Sequence, residues 1–81
     1  MDVQTVDCFP SQLRKARLFR GYQKQASICN RIGISRQIWS LWELGKRFPN
    51  LEKLTTLSNF LQINISYFFL ESAEPENYTI D

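Results

Sequence analysis

The stretch that decides the fold is QASICNRIGISRQIWSLWEL, which occupies residues 25–44. Its first half carries three apolar side chains at the three- and four-residue spacing of one helix face, namely Ile28, Cys29 and Ile32. Gly33 follows them, and glycine readily adopts the left-handed conformation that commonly ends a helix. This half of the stretch therefore predicts a helix that stops at Gly33.

The second half of the stretch predicts another helix, which a short turn separates from the first. Ser35 is a residue type that caps helix N-termini. Trp39 and Trp42 lie three residues apart, so their side chains share one side of this helix. Gly45 ends it. Cys29 is small and stands where the two helices would touch.

Three further helices are predicted outside this stretch. Ser11 is expected to cap a short first helix that ends at Gly21. Residues 45–50 form a loop, after which Asn50 caps a fourth helix and Asn64 caps a short fifth helix. The apolar positions of these last two helices are Leu51, Leu54, Leu57, Leu61, Ile65, Phe68 and Phe69. The predicted fold class is all-α, a compact domain of five short helices.

A chain of 81 residues is long enough for one domain. We expect an N-terminal arm over residues 1–10, the folded domain over residues 11–70, and an acidic, loose C-terminal tail over residues 71–81. No apolar run reaches the ~18 residues that a membrane span needs, and the first residues lack the pattern of a signal peptide. The sequence therefore predicts a cytoplasmic protein with no membrane partner.

Charge is strongly segregated along the chain. All ten Lys and Arg residues lie between Arg14 and Lys53. Residues 11–70 hold these ten basic residues and only two acidic ones, a net charge of +8. This segregation favours a polyanionic partner, although a solvated basic face would have the same composition.

The residue types argue against catalysis and against a resident cofactor or metal. The chain has no histidine, which excludes imidazole acid–base chemistry, histidine-based triads and histidine metal sites. Its two cysteines, Cys8 and Cys29, do not form the pattern of a disulfide framework. No glycine-rich phosphate loop is present. We therefore expect no enzymatic activity.

The pattern as a whole resembles the phage Cro/repressor type of helix-turn-helix protein, the XRE family. Residues 25–44 look like the family's helix-turn-helix, and residues 13–21, 43–52 and 61–65 look like its first helix, its loop into the fourth helix and its closing turn. The resemblance implies a lambda-repressor-like domain of five helices with the helix-turn-helix at helices 2 and 3. It also implies that the third helix enters the major groove of double-stranded DNA.

Three features depart from the family's pattern. The loop from Gly21 to Lys24 is one residue longer than usual. Gln62 stands where the family usually has glycine, so a non-glycine residue has to adopt the left-handed conformation there. Leu41 and Leu44 occupy places that are commonly polar and face DNA.

The third helix carries the residues that are expected to contact bases. With the two tryptophans directed inward, its opposite side presents Arg36, Gln37, Ser40 and Leu41. Gln37 can pair with adenine and Arg36 with guanine, although either side chain can instead hold a phosphate. Ser40 can touch a base or a phosphate. Leu41 can pack on a thymine methyl group or contact a protein.

A second set of residues is expected to contact DNA phosphates: Lys24, Gln25, Ser35, Lys46 and Arg47. Gln25 begins the second helix, where backbone N–H groups and the helix dipole favour an anion. The basic residues flank the recognition helix, although isolated surface charges are often merely solvated.

The resemblance also implies an internal ion pair between Arg17 and Glu43, with a structural role. The two tryptophans and the Phe68–Phe69 pair are expected to belong to the core. The alternative for these aromatic side chains is a stacking platform for single-stranded nucleic acid.

The function that the resemblance implies is a sequence-specific transcriptional regulator, a homodimeric (auto)repressor or controller on a palindromic operator. Two copies are expected because one helix-turn-helix reads only a few base pairs. The alternative is an antitoxin-like or other protein-interaction module that keeps the fold. Surplus apolar side chains at Leu18, Phe19, Tyr22 and Leu44 leave a protein partner open.

Overall fold

Four α-helices and two 3-10 helices form the part of the chain that the computed structural model describes, residues 7–80. In chain order these are α1 (Phe9–Phe19), α2 (Gln25–Ile32), α3 (Arg36–Glu43), α4 (Leu51–Leu61) and the 3-10 helices Ile65–Phe69 and Pro75–Asn77. Residues 7–80 contain no strand, and a single antiparallel bridge joins Ile63 to Thr79. The first six residues of the predicted N-terminal arm lie outside the described residues.

The predicted all-α class agrees with this structure, but the count of five α-helices does not. The fifth element is a 3-10 helix of five residues, Ile65–Phe69. Its predicted cap is correct, because the Asn64 side chain accepts a hydrogen bond from the Ser66 backbone N–H at 2.9 Å. Backbone bonds from Tyr67 N–H to Asn64 C=O and from Leu70 N–H to Tyr67 C=O have the three-residue spacing of this helix type.

The first helix begins earlier than predicted. Ser11 does not cap it, because α1 starts at Phe9 and its N-cap is Cys8. The Ser11 hydroxyl instead donates to the Cys8 carbonyl at 3.2 Å. Pro10 lies in the first turn, where its fixed φ suits a helix and its missing N–H costs nothing. The helix therefore begins inside the segment that was predicted to be an arm.

The core lies where the helices meet. Its buried apolar side chains are Phe9, Leu13, Ala16, Ile28, Cys29, Ile34, Trp39, Trp42, Leu54, Leu57, Leu61, Ile63, Tyr67 and Phe68. The ring centroids of Trp39 and Trp42 are 5.9 Å apart, and Phe69 is half-buried against the same core. The core assignment of these aromatic side chains is confirmed, so the tryptophans are not available as a stacking platform.

Leu51 does not belong to the buried stripe of α4, and its prediction was wrong. Its side chain is 74% exposed. Leu51 is the first residue of α4, directly after the N-cap Asn50, and this first turn projects beyond the core. Burial starts one turn later, at Leu54.

Residues 71–80 are packed against the domain, so the predicted loose tail is wrong for this segment. The Asn64 N–H donates to the Tyr78 carbonyl at 2.7 Å, and the Ile80 N–H donates to the Gln62 carbonyl at 2.9 Å. These bonds flank the bridge to Thr79. Side chains add to the docking, because Pro75 is buried and Ala73 and Tyr78 pack against the core. The acidic composition of the segment gave no sign of these contacts.

Gln12 on α1 binds residues 67–73, the stretch that leads into this docked segment. It is a buried polar residue of α1, and its Nε2 lies 2.8 Å from the Leu70 carbonyl, 3.1 Å from the Ala73 carbonyl and 3.3 Å from the Tyr67 carbonyl. The Tyr67 hydroxyl returns a hydrogen bond of 2.7 Å to the Gln12 carbonyl. We call these hydrogen bonds between Gln12 and residues 67–73 the Gln12 clamp. Sequence reasoning missed it.

The clamp gives a stability prediction for Gln12→Leu. Leucine has a similar size but no donor, so the three carbonyls lose the Gln12 amide and keep only their other donors, the N–H groups of Leu70 and Ala73 and the Lys15 ammonium group. We expect the free energy of unfolding to fall by about 1–3 kcal/mol, as measured by urea denaturation. Gln23→Leu, at an exposed loop position, is the control and should change stability by less than about 0.5 kcal/mol. Equal stability of Gln12→Leu and wild type would contradict the clamp.

Gln62 adopts the left-handed conformation that its position requires, with φ 56° and ψ 47°, at the C-terminal end of α4. Its side chain donates to the Asn59 carbonyl at 2.7 Å, which partly offsets the strain. We expect Gln62→Gly to raise the free energy of unfolding by about 0.5–1 kcal/mol, because glycine removes the left-handed penalty. Gln62→Ala keeps the penalty and loses the side-chain bond, so urea denaturation should show no gain for it.

Candidate nucleic-acid interface

The segment between α2 and α3 is short and has a fixed geometry. Gly33 has φ +80°, and its N–H donates to the Cys29 carbonyl at 2.9 Å. Ile34 then turns into the core, and the Ser35 hydroxyl caps α3 by accepting from the Ile38 N–H at 3.1 Å. Because each residue of the segment is held, the turn helps to set the orientation of α3 relative to α2.

The outer face of α3 brings together all four residues that were predicted to contact bases. Arg36 and Gln37 are exposed, and Ser40 and Leu41 are half-buried. Together with Ile38 they line one shallow surface depression. The two tryptophans on the opposite side are buried, so this face points away from the core.

The loop after α3 folds back onto the helix and carries two of the predicted phosphate contacts. The N–H groups of Lys46 and Arg47 donate to the Leu41 carbonyl at 2.9 and 3.3 Å, and both side chains are exposed. These residues also line a surface depression with Gly45, Phe48 and Asp7. Asp7 therefore places one acidic residue at the rim of this basic surface.

The start of α2 holds two more of the predicted phosphate contacts. Lys24 is the exposed N-cap of α2, and its side chain makes no capping hydrogen bond. In this first turn the Ser27 N–H donates to the Lys24 carbonyl at 3.1 Å, and the N–H groups before it have no partner within the helix. The Gln25 side chain is not directed to a ligand, because its Nε2 donates to Glu43 Oε1 at 3.1 Å.

The structure also brings Arg17 and Glu43 together, as the resemblance implied. Arg17 Nε lies 2.8 Å from Glu43 Oε2, and Arg17 Nη2 lies 3.2 Å from Glu43 Oε1. Each side chain is only 6% exposed. Arg17 Nη1 donates to the carbonyls of Tyr22 and Gln23 at 2.8 Å each, so the same guanidinium braces the long loop between α1 and α2.

Glu43 is the acceptor on which three elements converge. Besides Arg17 and Gln25, it accepts a hydrogen bond of 2.6 Å from Trp39 Nε1. Its two oxygens therefore connect α1, the start of α2 and the inner side of α3. Sequence reasoning missed the contacts from Gln25 and Trp39. The four-residue spacing of Trp39 and Glu43 was the available signal, since such residues share a helix face.

Comparison with known proteins identifies the family. A family of helix-turn-helix domains matches residues 11–74. The chain belongs to this helix-turn-helix family. The match confirms the predicted resemblance to XRE-type helix-turn-helix proteins, and residues 25–43, which contain α2 and α3, lie within it.

Two relatives of this helix-turn-helix domain come from Bacillus subtilis (strain 168). One is an uncharacterized HTH-type transcriptional regulator, YonR, derived from the SPbeta prophage, which is 37% identical over 59 residues. The other is an uncharacterized HTH-type transcriptional regulator, YqaE, 30% identical over 59 residues. Each match covers 73% of this chain but only 54% and 50% of the relatives, so the chain spans about half their length. No solved structure matches the chain.

The described part of this helix-turn-helix domain can also be compared with what a reactive thiol, a metal site and a membrane span require. Burial, and secondarily the nearby Glu43 carboxylate, raise the pKa of the Cys29 thiol above its usual range, so the thiolate is disfavoured. Within residues 7–80 no group of three or more His, Cys, Asp or Glu side chains is placed to hold a metal ion. None of the helices described here has the length and apolar character needed to cross a membrane.

Proposed function

We propose that this helix-turn-helix protein is a sequence-specific transcriptional regulator of double-stranded DNA, of the small Cro/C1 repressor type. The observation that carries the proposal is the outer face of α3, where Arg36, Gln37, Ser40 and Leu41 lie together opposite a buried tryptophan pair. The names of the two relatives, both HTH-type transcriptional regulators, support the same role.

The polar residues of this face fit base edges in the major groove. The Gln37 side-chain amide can form two hydrogen bonds with adenine: its N–H donates to N7, and its C=O accepts from the N6 amino group. The Arg36 guanidinium can donate to both O6 and N7 of guanine. Ser40 lies one turn further along α3 and can bond to a base or to a phosphate.

The flanking residues fit phosphates on both sides of α3. The exposed side chains of Lys24, Lys46 and Arg47 supply positive charge, and Ser35 retains a hydroxyl proton to donate. Gln25 would contribute its backbone N–H at the start of α2, because its side-chain amide is bound to Glu43. Such contacts bind DNA of any sequence and weaken as salt rises.

We further propose that two copies bind a palindromic operator as a homodimer that represses its own gene in the cytoplasm. One α3 reads only a few base pairs, and a two-fold pair doubles the contacts. Exposed apolar side chains that can serve the contact between copies are Leu44 at the end of α3 and Leu18 and Phe19 at the end of α1. Sedimentation of the complex should give two chains per operator.

The decisive experiment is a fluorescence-anisotropy titration against DNA from immediately upstream of the gene, with scrambled DNA as competitor and at two salt concentrations. We expect binding at least about 10³-fold tighter than to scrambled DNA and weaker at the higher salt. If the upstream DNA gives only sequence-independent binding, the autorepressor proposal fails, and randomised DNA then tests the regulator proposal. No binding to any DNA at low salt would contradict the regulator proposal.

A second candidate is an antitoxin-like or other protein-interaction module that keeps the helix-turn-helix fold. The observation that favours it is the exposed apolar side chain of Leu44, 65% exposed at the end of α3 where a polar residue is usual. The absence of DNA binding in the titration, together with stable complex formation with a protein partner, would establish this alternative.

A further inference from the structure

Leu41 is the one residue of the outer α3 face that has no hydrogen-bonding group in its side chain. It lies one helical turn after Gln37 and directly after Ser40, and it lines the depression that these residues share. The residue is half-buried. Among residues 7–80, the half-buried apolar side chains that pack against the core include Ile38 from α3 but not Leu41. The core therefore does not account for a leucine at this position.

The position of Leu41 is nevertheless well fixed. Its carbonyl accepts hydrogen bonds from the N–H groups of Lys46 and Arg47 at 2.9 and 3.3 Å. The loop after α3 thus holds the backbone at this point. An apolar side chain therefore extends from a fixed backbone position beside the polar residues Arg36, Gln37 and Ser40, and Ile38 lines the same depression.

We propose that Leu41 is a specificity-determining residue that reads the 5-methyl group of a pyrimidine. This inference rests on the proposed function, since it assumes that α3 enters the major groove. Base edges there are polar except for the C5-methyl group of thymine, and 5-methylcytosine carries the same group at the same ring position. A leucine facing any other base edge would cover polar groups without pairing them, at a cost in binding.

The geometry of α3 also limits where the methylated pyrimidine lies. Residues four apart on a helix have Cβ atoms about 5–6 Å apart, and base pairs are stacked about 3.4 Å apart. The methyl group read by Leu41 therefore belongs to a base pair one or two steps from the pair that Gln37 contacts.

The test begins with selection of tight-binding DNA from two randomised libraries, one with ordinary cytosine and one with 5-methylcytosine. The selected sites are then resynthesised with deoxyuridine in place of single thymines, or with cytosine in place of 5-methylcytosine. Either exchange removes a methyl group and leaves the pairing edges unchanged. Wild type, Leu41→Ala and the matched control Leu51→Ala, at an exposed leucine of α4, are titrated against each DNA.

Removal of the contacted methyl group should weaken wild-type binding about fourfold, and removal in both half-sites about fifteenfold. Leu41→Ala should lose this response, while Leu51→Ala should respond like wild type. A response to deoxyuridine identifies thymine as the source of the methyl group. A response only in the methylated library identifies 5-methylcytosine.

Two results would overturn the proposal while leaving the regulator function intact: wild type that binds methylated and unmethylated sites equally, or Leu41→Ala that responds as strongly as wild type. Whether wild type distinguishes methylated from unmethylated sites is measured on the wild-type protein alone, so this result does not depend on the folding of a variant. If neither library enriches a sequence, the proposed function fails, and the methyl contact fails with it.

Discussion

Arg17→Met is expected to lower the free energy of unfolding by about 3–5 kcal/mol, because it leaves a buried carboxylate without its cation. Glu43 is 6% exposed, and two of its hydrogen bonds come from Arg17. The substitution also removes the donor that serves the carbonyls of Tyr22 and Gln23. Since small domains have a total stability of about 5–15 kcal/mol, this loss would unfold a substantial part of the population on warming.

Urea denaturation checks the prediction, with Arg14→Met as the matched control. Arg14 lies one turn earlier on α1 and is exposed, so its loss should cost less than about 0.5 kcal/mol. The double variant Arg17→Met/Glu43→Met removes both charges, and we expect it to recover part of the stability. A loss below about 1 kcal/mol for Arg17→Met would show that the buried pair does not organise the domain as described.

The consequence for function follows from what Glu43 connects. Through Arg17 it ties α3 to α1, and through Gln25 it ties α3 to the first residue of α2. The orientation of the outer face of α3 therefore depends on a charge network on its inner side. Variants of this network are expected to affect DNA binding even though none of its side chains points to the proposed groove.

The helix-turn-helix itself was predictable because its signals are local. The helix stop at Gly33 and the caps at Ser35 and Asn50 each act within about one turn, so the sequence shows them directly. The buried sides of α2 and α3 follow from three- and four-residue spacing. The left-handed conformation of Gln62 was also foreseen, but from the resemblance, because the family usually has glycine at this position.

The features that sequence reasoning missed depend on contacts between residues far apart in sequence. Gln12 was overlooked because a glutamine in an amphipathic pattern is usually exposed, whereas here its partners are carbonyls 55 to 61 residues further along the chain. The docking of residues 71–80 was missed for the same reason. At Gln25 the helix start predicted a phosphate contact, and nothing in the sequence indicated that the side-chain amide donates to the Glu43 carboxylate.

Gln37→Ala is the substitution with the largest expected effect on DNA recognition. If the Gln37 amide pairs with adenine, its loss should cost about 1–3 kcal/mol for each half-site, and twice that for a homodimer on a palindrome. Gln37 is exposed at the start of α3, so the fold should be unaffected. Titration of the operator and of scrambled DNA should show that the variant weakens operator binding and leaves scrambled binding unchanged.

Lys46→Ala is compared with Gln37→Ala, because the two substitutions are expected to remove a phosphate contact and a base contact respectively. A lost phosphate contact weakens binding to all sequences alike and lowers the slope of log K against log salt by about 1 for each contact. Gln37→Ala should leave that slope unchanged, because no cation is removed. If Gln37→Ala instead weakened operator and scrambled DNA equally, the residue would hold the backbone, and base reading by α3 would rest on Arg36 and its other outer residues.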